Sequence, residues 1–324
     1  MSRIHTIAFY NLENFFDTEN DPFSNDSDYL PDSDKRWTAK RYERKVYKMG
    51  NAISVIGPEQ FPFPPTILGV AEIENQRVLE DLLKAKDLLS IPYNYVHYDS
   101  YDERGIDTAL IYDTRFFEVS SSEIFSVLIE DEDGIRDFTR DILLVSGKLE
   151  GEEIHIIVNH WPSKREGDIE SEYKRMAAAD KLLFVIQKLQ LTYSNPKVVV
   201  MGDFNDNPDG LPIKHLRKQS GFFNALEMHW ARGRGSVTHD FKWNVYDQIF
   251  ISQNFFDKNE GQFYFHGSDI FDPKFLTQYN GRYKGHPFRT YAGKRFLGGF
   301  SDHFPVFIQL KRKLQSLVED SGQD

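Results

Sequence analysis

The stretch Val198-Val-Val-Met-Gly-Asp-Phe-Asn-Asp206 begins as an apolar run of strand length and stops at a glycine followed by polar side chains. In extended chain, residues two apart point the same way, so Asp203 and Asn205 stand together at the tip. A carboxylate there can orient or deprotonate water while the amide holds the attacked group. The same tetrapeptide also suits an ordinary strand end closed by an Asx turn.

Working outward, the pattern recurs. Residues 4–10, 66–71 and 154–159 are short apolar runs that end, respectively, at Asn11, Glu72 and His160. Further strands are predicted over 108–112, 116–125, 142–149, 245–251 and 305–310, and helices over 39–55, 78–86 and 170–190. In the last of these Met176, Leu182, Leu183, Val185, Ile186 and Leu189 form one broad apolar face. Strands interleaved with helices predict an α/β sandwich of two central sheets with helices outside and polar residues at the strand ends.

Each strand end has a chemical and a plain reading. A carboxylate directly after a buried run is costly unless it meets solvent, a donor or a cation, which makes Glu72 a candidate magnesium ligand and Glu74 its rival as a merely exposed strand-end residue. Ser301-Asp-His303 places an acid and an imidazole just before a strand: Asp302 could complete a cation site, and His303 could bind a phosphate if held by a carboxylate such as Asp247. His160 runs into Trp-Pro-Ser-Lys164-Arg165, and an imidazole there could stabilise charge on a phosphoryl oxygen. The chain contains neither zinc-ligand spacing nor a glycine-rich phosphate loop.

Composition narrows the function class. The 324 residues are 40% hydrophobic, with 50 acidic against 39 basic side chains and a net charge of -11. That balance disfavours gripping duplex nucleic acid chiefly by neutralising phosphates, although an acidic cluster loaded with a divalent cation reverses its own local field. The absence of cysteine excludes disulfides, thiolate metal sites and cysteine nucleophiles. No signal peptide and no bilayer-length apolar run is seen, so a cytoplasmic location is expected. No linker divides the chain; one domain over 1–312 and a polar, frayed tail over 313–324 are expected, and 17–34 reads as an acidic loop without regular structure. Residues 273–300 hold no acid and interleave aromatic with basic side chains, among them Arg289 and Arg295.

Taken in order, Asn11 in Phe-Tyr-Asn-Leu-Glu-Asn, Glu72, Arg104-Gly105, His160, Gly202-Asp-Phe-Asn205, Asp247 and Ser301-Asp-His303 resemble the endonuclease/exonuclease/phosphatase superfamily. The likeness is to its histidine-bearing bacterial branch, similar to the deoxyribonucleases and sphingomyelinases. This resemblance implies a four-layer αββα sandwich with the site at one edge of the paired sheets. It implies that Glu72, with Asn11 and Asp302, holds magnesium (or manganese) and that Asp203 activates water. By the same likeness Asn205 and His303 would bind the phosphate, Asp247 would orient His303, and His160 would assist the developing charge. Arg104, Lys164, Arg165, Trp243, Arg289 and Arg295 are candidate substrate contacts. Glu13 stands where some relatives carry Asp, and Asp107 extends the Arg104-Gly turn. The expected activity is magnesium-dependent hydrolysis of phosphodiester bonds, with nucleic acid as the first-choice substrate. Alternatives are a phosphatase or phosphodiesterase for a small phosphorylated metabolite, inositide or lipid head group, and a catalytically silent binding module.

Overall fold

A computed structural model describes residues 4–58, 63–130, 134–164, 167 and 171–313. Arg165 and the tail from 314 onward lie outside that set. Numbering only the strands of the two large sheets, these are β1 (Ile4–Phe15), β2 (Ile67–Ile73), β3 (Tyr93–His97), β4 (Asp107–Asp113), β5 (Phe117–Phe125), β6 (Ile142–Leu149), β7 (Glu152–His160), β8 (Val198–Asp203), β9 (Phe223–Asn224), β10 (Asp247–Ile251), β11 (Phe263–Ile270) and β12 (Val306–Arg312). The first sheet runs β11-β12-β1-β2-β4-β3 and the second β9-β10-β8-β7-β6-β5, six strands each.

Both sheets share one design. A central parallel pair, β1 with β2 and β8 with β7, is flanked by antiparallel neighbours. Parallel strands bring their carboxyl ends to the same edge, so each pair delivers two polar residues there: Asn11 and Glu72 from one sheet, Asp203 and His160 from the other. Asp203 lies opposite His160 on one side and opposite Asp247 of β10 on the other.

Alternation along the strands builds the layers. On β8, Val199 and Met201 join the core between the sheets, whereas Val198 and Val200 pack outward with Leu182, Val185 and Ile186 of helix α3 (Glu172–Thr192). Counting on by two from Met201 puts Asp203 on the inner face, at the edge of the sandwich. Helices α1 (Ala39–Ile53) and α2 (Gln76–Leu83) contribute Met49, Ala52, Ile53, Val78, Leu79 and Leu82 to the core of the first sheet, and α4 (Leu211–Ser220) packs beside α3 through Ile213 and Leu216. The sheets press closely: a Cβ on Gly69 would meet Met201 Sδ at 2.8 Å. The order helix, sheet, sheet, helix is the predicted four-layer sandwich. Residues 17–34 carry only a single turn of 3-10 helix at Ser27–Tyr29. Among the described residues no helix is long and apolar enough to cross a membrane.

Candidate active site

The strand ends leave regular geometry where they meet. The β1–β2 register slips between Asn11 and Phe15, the β2–β4 register between Ala71 and Ile73, and Glu13, Asn14, Glu72 and Asn205 all adopt left-handed φ values of 55°, 46°, 61° and 48°. Non-glycine residues hold that conformation only where surroundings enforce it, and such bulges re-aim side chains. Here the enforcement is visible: the Asn14 N–H donates to Glu72 Oε2 at 2.7 Å, the Glu13 N–H to Asn11 Oδ1 at 3.0 Å, and the Asn205 N–H to Asp203 Oδ1 at 2.8 Å.

Around Asp203 the residues singled out in the sequence converge. Asn11 Nδ2 donates to Asp203 Oδ2 at 3.0 Å; His303 Nε2 stands 3.8 Å and His160 Nε2 3.9 Å from the same oxygen. His303 Nδ1 is bound to Asp247 Oδ2 at 2.7 Å, and Asp247 is wholly buried. Ser301 Oγ donates to the Asn11 carbonyl at 2.6 Å and accepts the His303 N–H at 3.0 Å, which locks the last motif to the first strand. Asn205 Nδ2 reaches the Trp161 carbonyl at 2.9 Å, and Glu72 Oε1 lies 3.9 Å from His160 Nε2.

Charge in this cluster is tightly coupled. Burial, then the neighbouring Asp247, pushes Asp203 up to about 7 against the pull of His303 and the N–H donors. Burial pulls the His303 imidazolium down, but Asp247, Asp203 and Asp302 outweigh it and hold it well above the ordinary histidine range. Burial would likewise raise Asp302, yet His303 and Arg289, which binds it at 2.6 Å, bring it below its usual value. Glu13 is pushed up to about 7 by burial and Asp302; it accepts the Thr290 N–H at 2.6 Å and so fastens the 287–300 segment to β1.

The remaining candidates fall in different places. Arg104 donates to Asn14 Oδ1 at 2.5 Å and stands 3.9 Å from Glu72. Lys164 pairs with Asp206 at 3.0 Å. Trp243 is half-buried and stacks on Phe304, whereas Arg295 is exposed on the small hairpin Tyr291–Ala292/Arg295–Phe296. Asp107 closes the 98–106 loop by accepting the Ser100 N–H at 3.1 Å. Glu74 is buried, not an exposed strand end, and accepts the Asp17 N–H at 2.6 Å.

One neighbour escaped the sequence reading altogether. Arg140 is buried against the His160 ring, its Nε 3.4 Å from Nδ1 and its Nη2 3.2 Å from Nε2, and it pairs with Asp102 at 3.2 Å. Asp102 also accepts the Arg104 N–H at 3.1 Å, so one carboxylate braces both arginines. In sequence Arg140 sits in a short charged loop with no motif to mark it.

The sequence profile of the endonuclease/exonuclease/phosphatase family matches residues 6–312. The chain belongs to that family. Its members' shared chemistry makes this a metal-dependent phosphoester hydrolase, and the buried Asp203, Asp247 and His303, whose donor atoms lie within 4.8 Å of one another, agree with a cation nearby. Among solved structures, a family protein from Bacteroides thetaiotaomicron superposes with a TM-score of 0.59 at 17% identity, covering 97% of this chain and 100% of its own. D. rerio TDP2 humanized by 14 mutations gives 0.59 at 13% identity, covering 95% and 98%. A mannosyl-6-phosphatase from Bacteroides thetaiotaomicron VPI-5482 gives 0.57 at 17%, covering 94% and 99%. At such identities the likeness is one of fold. No curated protein sequence matches significantly.

The donor set fits a hard divalent cation. This edge holds no thiolate, and both imidazoles there are engaged, His160 by Arg140 and His303 by Asp247, so the carboxylate oxygens are the donors a cation would meet.

Proposed function

We propose that this chain hydrolyses phosphodiester bonds, with nucleic acid as substrate, by in-line attack of water on phosphorus without a covalent intermediate. The observation that carries the reading is Asp203, which holds Asn11 at 3.0 Å and faces a carboxylate-anchored His303 at 3.8 Å. Glu72, Asn11 and Asp302 would hold the cation; bound there, magnesium supplies positive charge to a phosphoryl or leaving oxygen. The Asp203–Asp247–His303 group is a second place for a cation, and within it His303 Nδ1 is bound to Asp247 Oδ2 at 2.7 Å.

The residues divide the remaining work. Asp203, poised near neutrality, accepts the proton of the attacking water as its oxygen bonds to phosphorus and the P–O bond to the leaving group breaks. His303, kept cationic by Asp247, and the amide of Asn205 hold the non-bridging oxygens. His160, backed by Arg140, faces the charge that develops. Arg104, Lys164, Trp243, Arg289 and Arg295 are the proposed substrate contacts, together with Arg165, which lies outside the described residues. The core shared by the two sheets supports treating 1–312 as one catalytic domain.

A panel of single- and double-stranded nucleic acid, phosphorylated sugars, nucleotides and inositides, assayed with magnesium and after chelation, tests this. Metal-dependent cleavage of nucleic acid is expected. Phosphate released only from small monoesters would replace it with a phosphatase reading, which the likeness to the mannosyl-6-phosphatase supports at the level of fold.

A further inference from the structure

We propose that the hairpin Val237–His239/Lys242–Asn244, together with the 279–286 loop packed on it, is a stacking platform for a nucleobase of a single-stranded nucleic acid bound across the proposed site. This rests on the phosphodiester reading above and names the part of the substrate that reading leaves open.

The hairpin is attached directly to the proposed site. Val237 bridges to His303 in the backbone, and Trp243, opposite Thr238 in the hairpin, stacks on Phe304 with ring centres 6.0 Å apart at 22°. His286 rests against Trp243 at 5.6 Å and against Phe241 at 5.7 Å, and its Nδ1 lies 3.0 Å from Thr238 Oγ1. Rings therefore run without a break from the residue after His303 to solvent.

The outer end of that run is open. Phe241 is 55% exposed and lies parallel to Tyr283, 5.2 Å between centres and 2° between planes. Asp240 and Phe241 occupy the hairpin tip with φ of 46° and 62°, positions that Asn-Gly fills without strain. A large apolar ring in that slot is held outward at a conformational cost that burial does not offset. The Arg282 guanidinium covers Tyr283 at 4.6 Å and donates to its hydroxyl at 2.6 Å, and neither Arg282 nor Lys284 has a carboxylate within ion-pair distance among the described residues.

Flat, exposed rings beside uncompensated cations match a base with its phosphate, and stacking needs no particular base because each has a π face. A duplex keeps those faces inside its own stack. A sugar phosphate or inositide presents none, so the platform favours an unpaired strand.

Binding to the full chain in the presence of chelator separates stacking from cleavage. The probes are a short oligothymidylate and the same oligomer with abasic residues. Phe241→Ala and Tyr283→Ala are each expected to weaken the base-bearing oligomer about tenfold and to leave the abasic one unchanged. Phe241→Trp, which keeps a ring at the tip, is expected to bind like the wild type and to lose emission on binding. Equal weakening of both oligomers, or of neither, overturns the platform. Metal-dependent cleavage of the abasic oligomer reports the hydrolase separately. If no diester is cleaved but the stacking difference holds, the platform stands and the hydrolytic reading falls. If diesters are cleaved and the ring variants are indifferent to bases, the reverse is true.

Discussion

Asp203 is gripped from both oxygens, by the Asn11 amide on one and the Asn205 N–H on the other, so its carboxylate is fixed in orientation, as the proposed role in activating water requires. Asp203→Asn keeps the side chain's outline but turns one accepting oxygen into a donor, so it removes the proposed base and one of the two grips. It should lower kcat by about 10³-fold with an unchanged circular dichroism spectrum, and activity close to wild type would remove Asp203 from the role. Arg140 tests the electrostatics on the opposite side: with the guanidinium gone, Arg140→Ala should lower kcat by about 10²-fold with little change in KM, and Arg140→Lys should recover part of it. Glu74 gives a pH signature of its own. Burial lifts it from 4.5 to about 8, so the folded state prefers its protonated form. The stabilisation it brings is complete below about pH 4.5 and is lost as pH climbs through about 8. Glu74→Gln, neutral throughout, should therefore gain on the wild type in melting temperature between about pH 5 and about pH 9, and parallel curves across that range would contradict the raised value.

The strand ends were legible because of what precedes them. Val198–Asp203 is a short apolar run between polar breaks, and the strands ending at Asn11, Glu72 and His160 repeat that pattern, so the elements holding the cluster could be placed from their residues alone. What could not be placed sits at the margins. Phe263–Ile270 and Tyr93–His97 are sheet-edge strands, half-buried along most of their length, and show no clean alternation; Leu211–Ser220 buries only Pro212, Ile213 and Leu216. Arg140 was invisible for a different reason: it meets His160 through the fold, not through spacing. The glycine of the Gly202-Asp-Phe-Asn motif also acquires its reason only in three dimensions. A Cβ there would lie 2.3 Å from the Asn159 carbonyl oxygen on the parallel neighbour, a backbone atom with nowhere to go. Gly202→Ala should cost about 2 kcal/mol and push β8 off β7, seen as a lower urea midpoint together with reduced activity. A variant as stable and active as wild type would show that the pair tolerates more separation than this contact allows.

At the scale of the whole molecule, carboxylates from both sheets crowd one edge, and a cation bound among them should stabilise the folded state. Magnesium at about a hundredfold its dissociation constant should add about 2.7 kcal/mol, read as a rise in melting temperature that chelation reverses. Glu72→Gln should abolish the rise, and an undiminished shift would move the cation elsewhere. The net charge of -11 is in keeping with this, since a cation bound among the carboxylates reverses the local sign that a phosphate meets. One contact carries a further consequence. Ser301 closes on the Asn11 carbonyl across 290 residues of chain, and Asp302 and His303 enter the cluster with it. Asn11, Glu72 and Asp203 all precede that motif by about a hundred residues or more, so the cluster is complete only when the last strand is in place. On the proposed roles, a chain cut before residue 301 should lack activity, because the Ser301 tie, Asp302 and His303 would all be missing from the cluster.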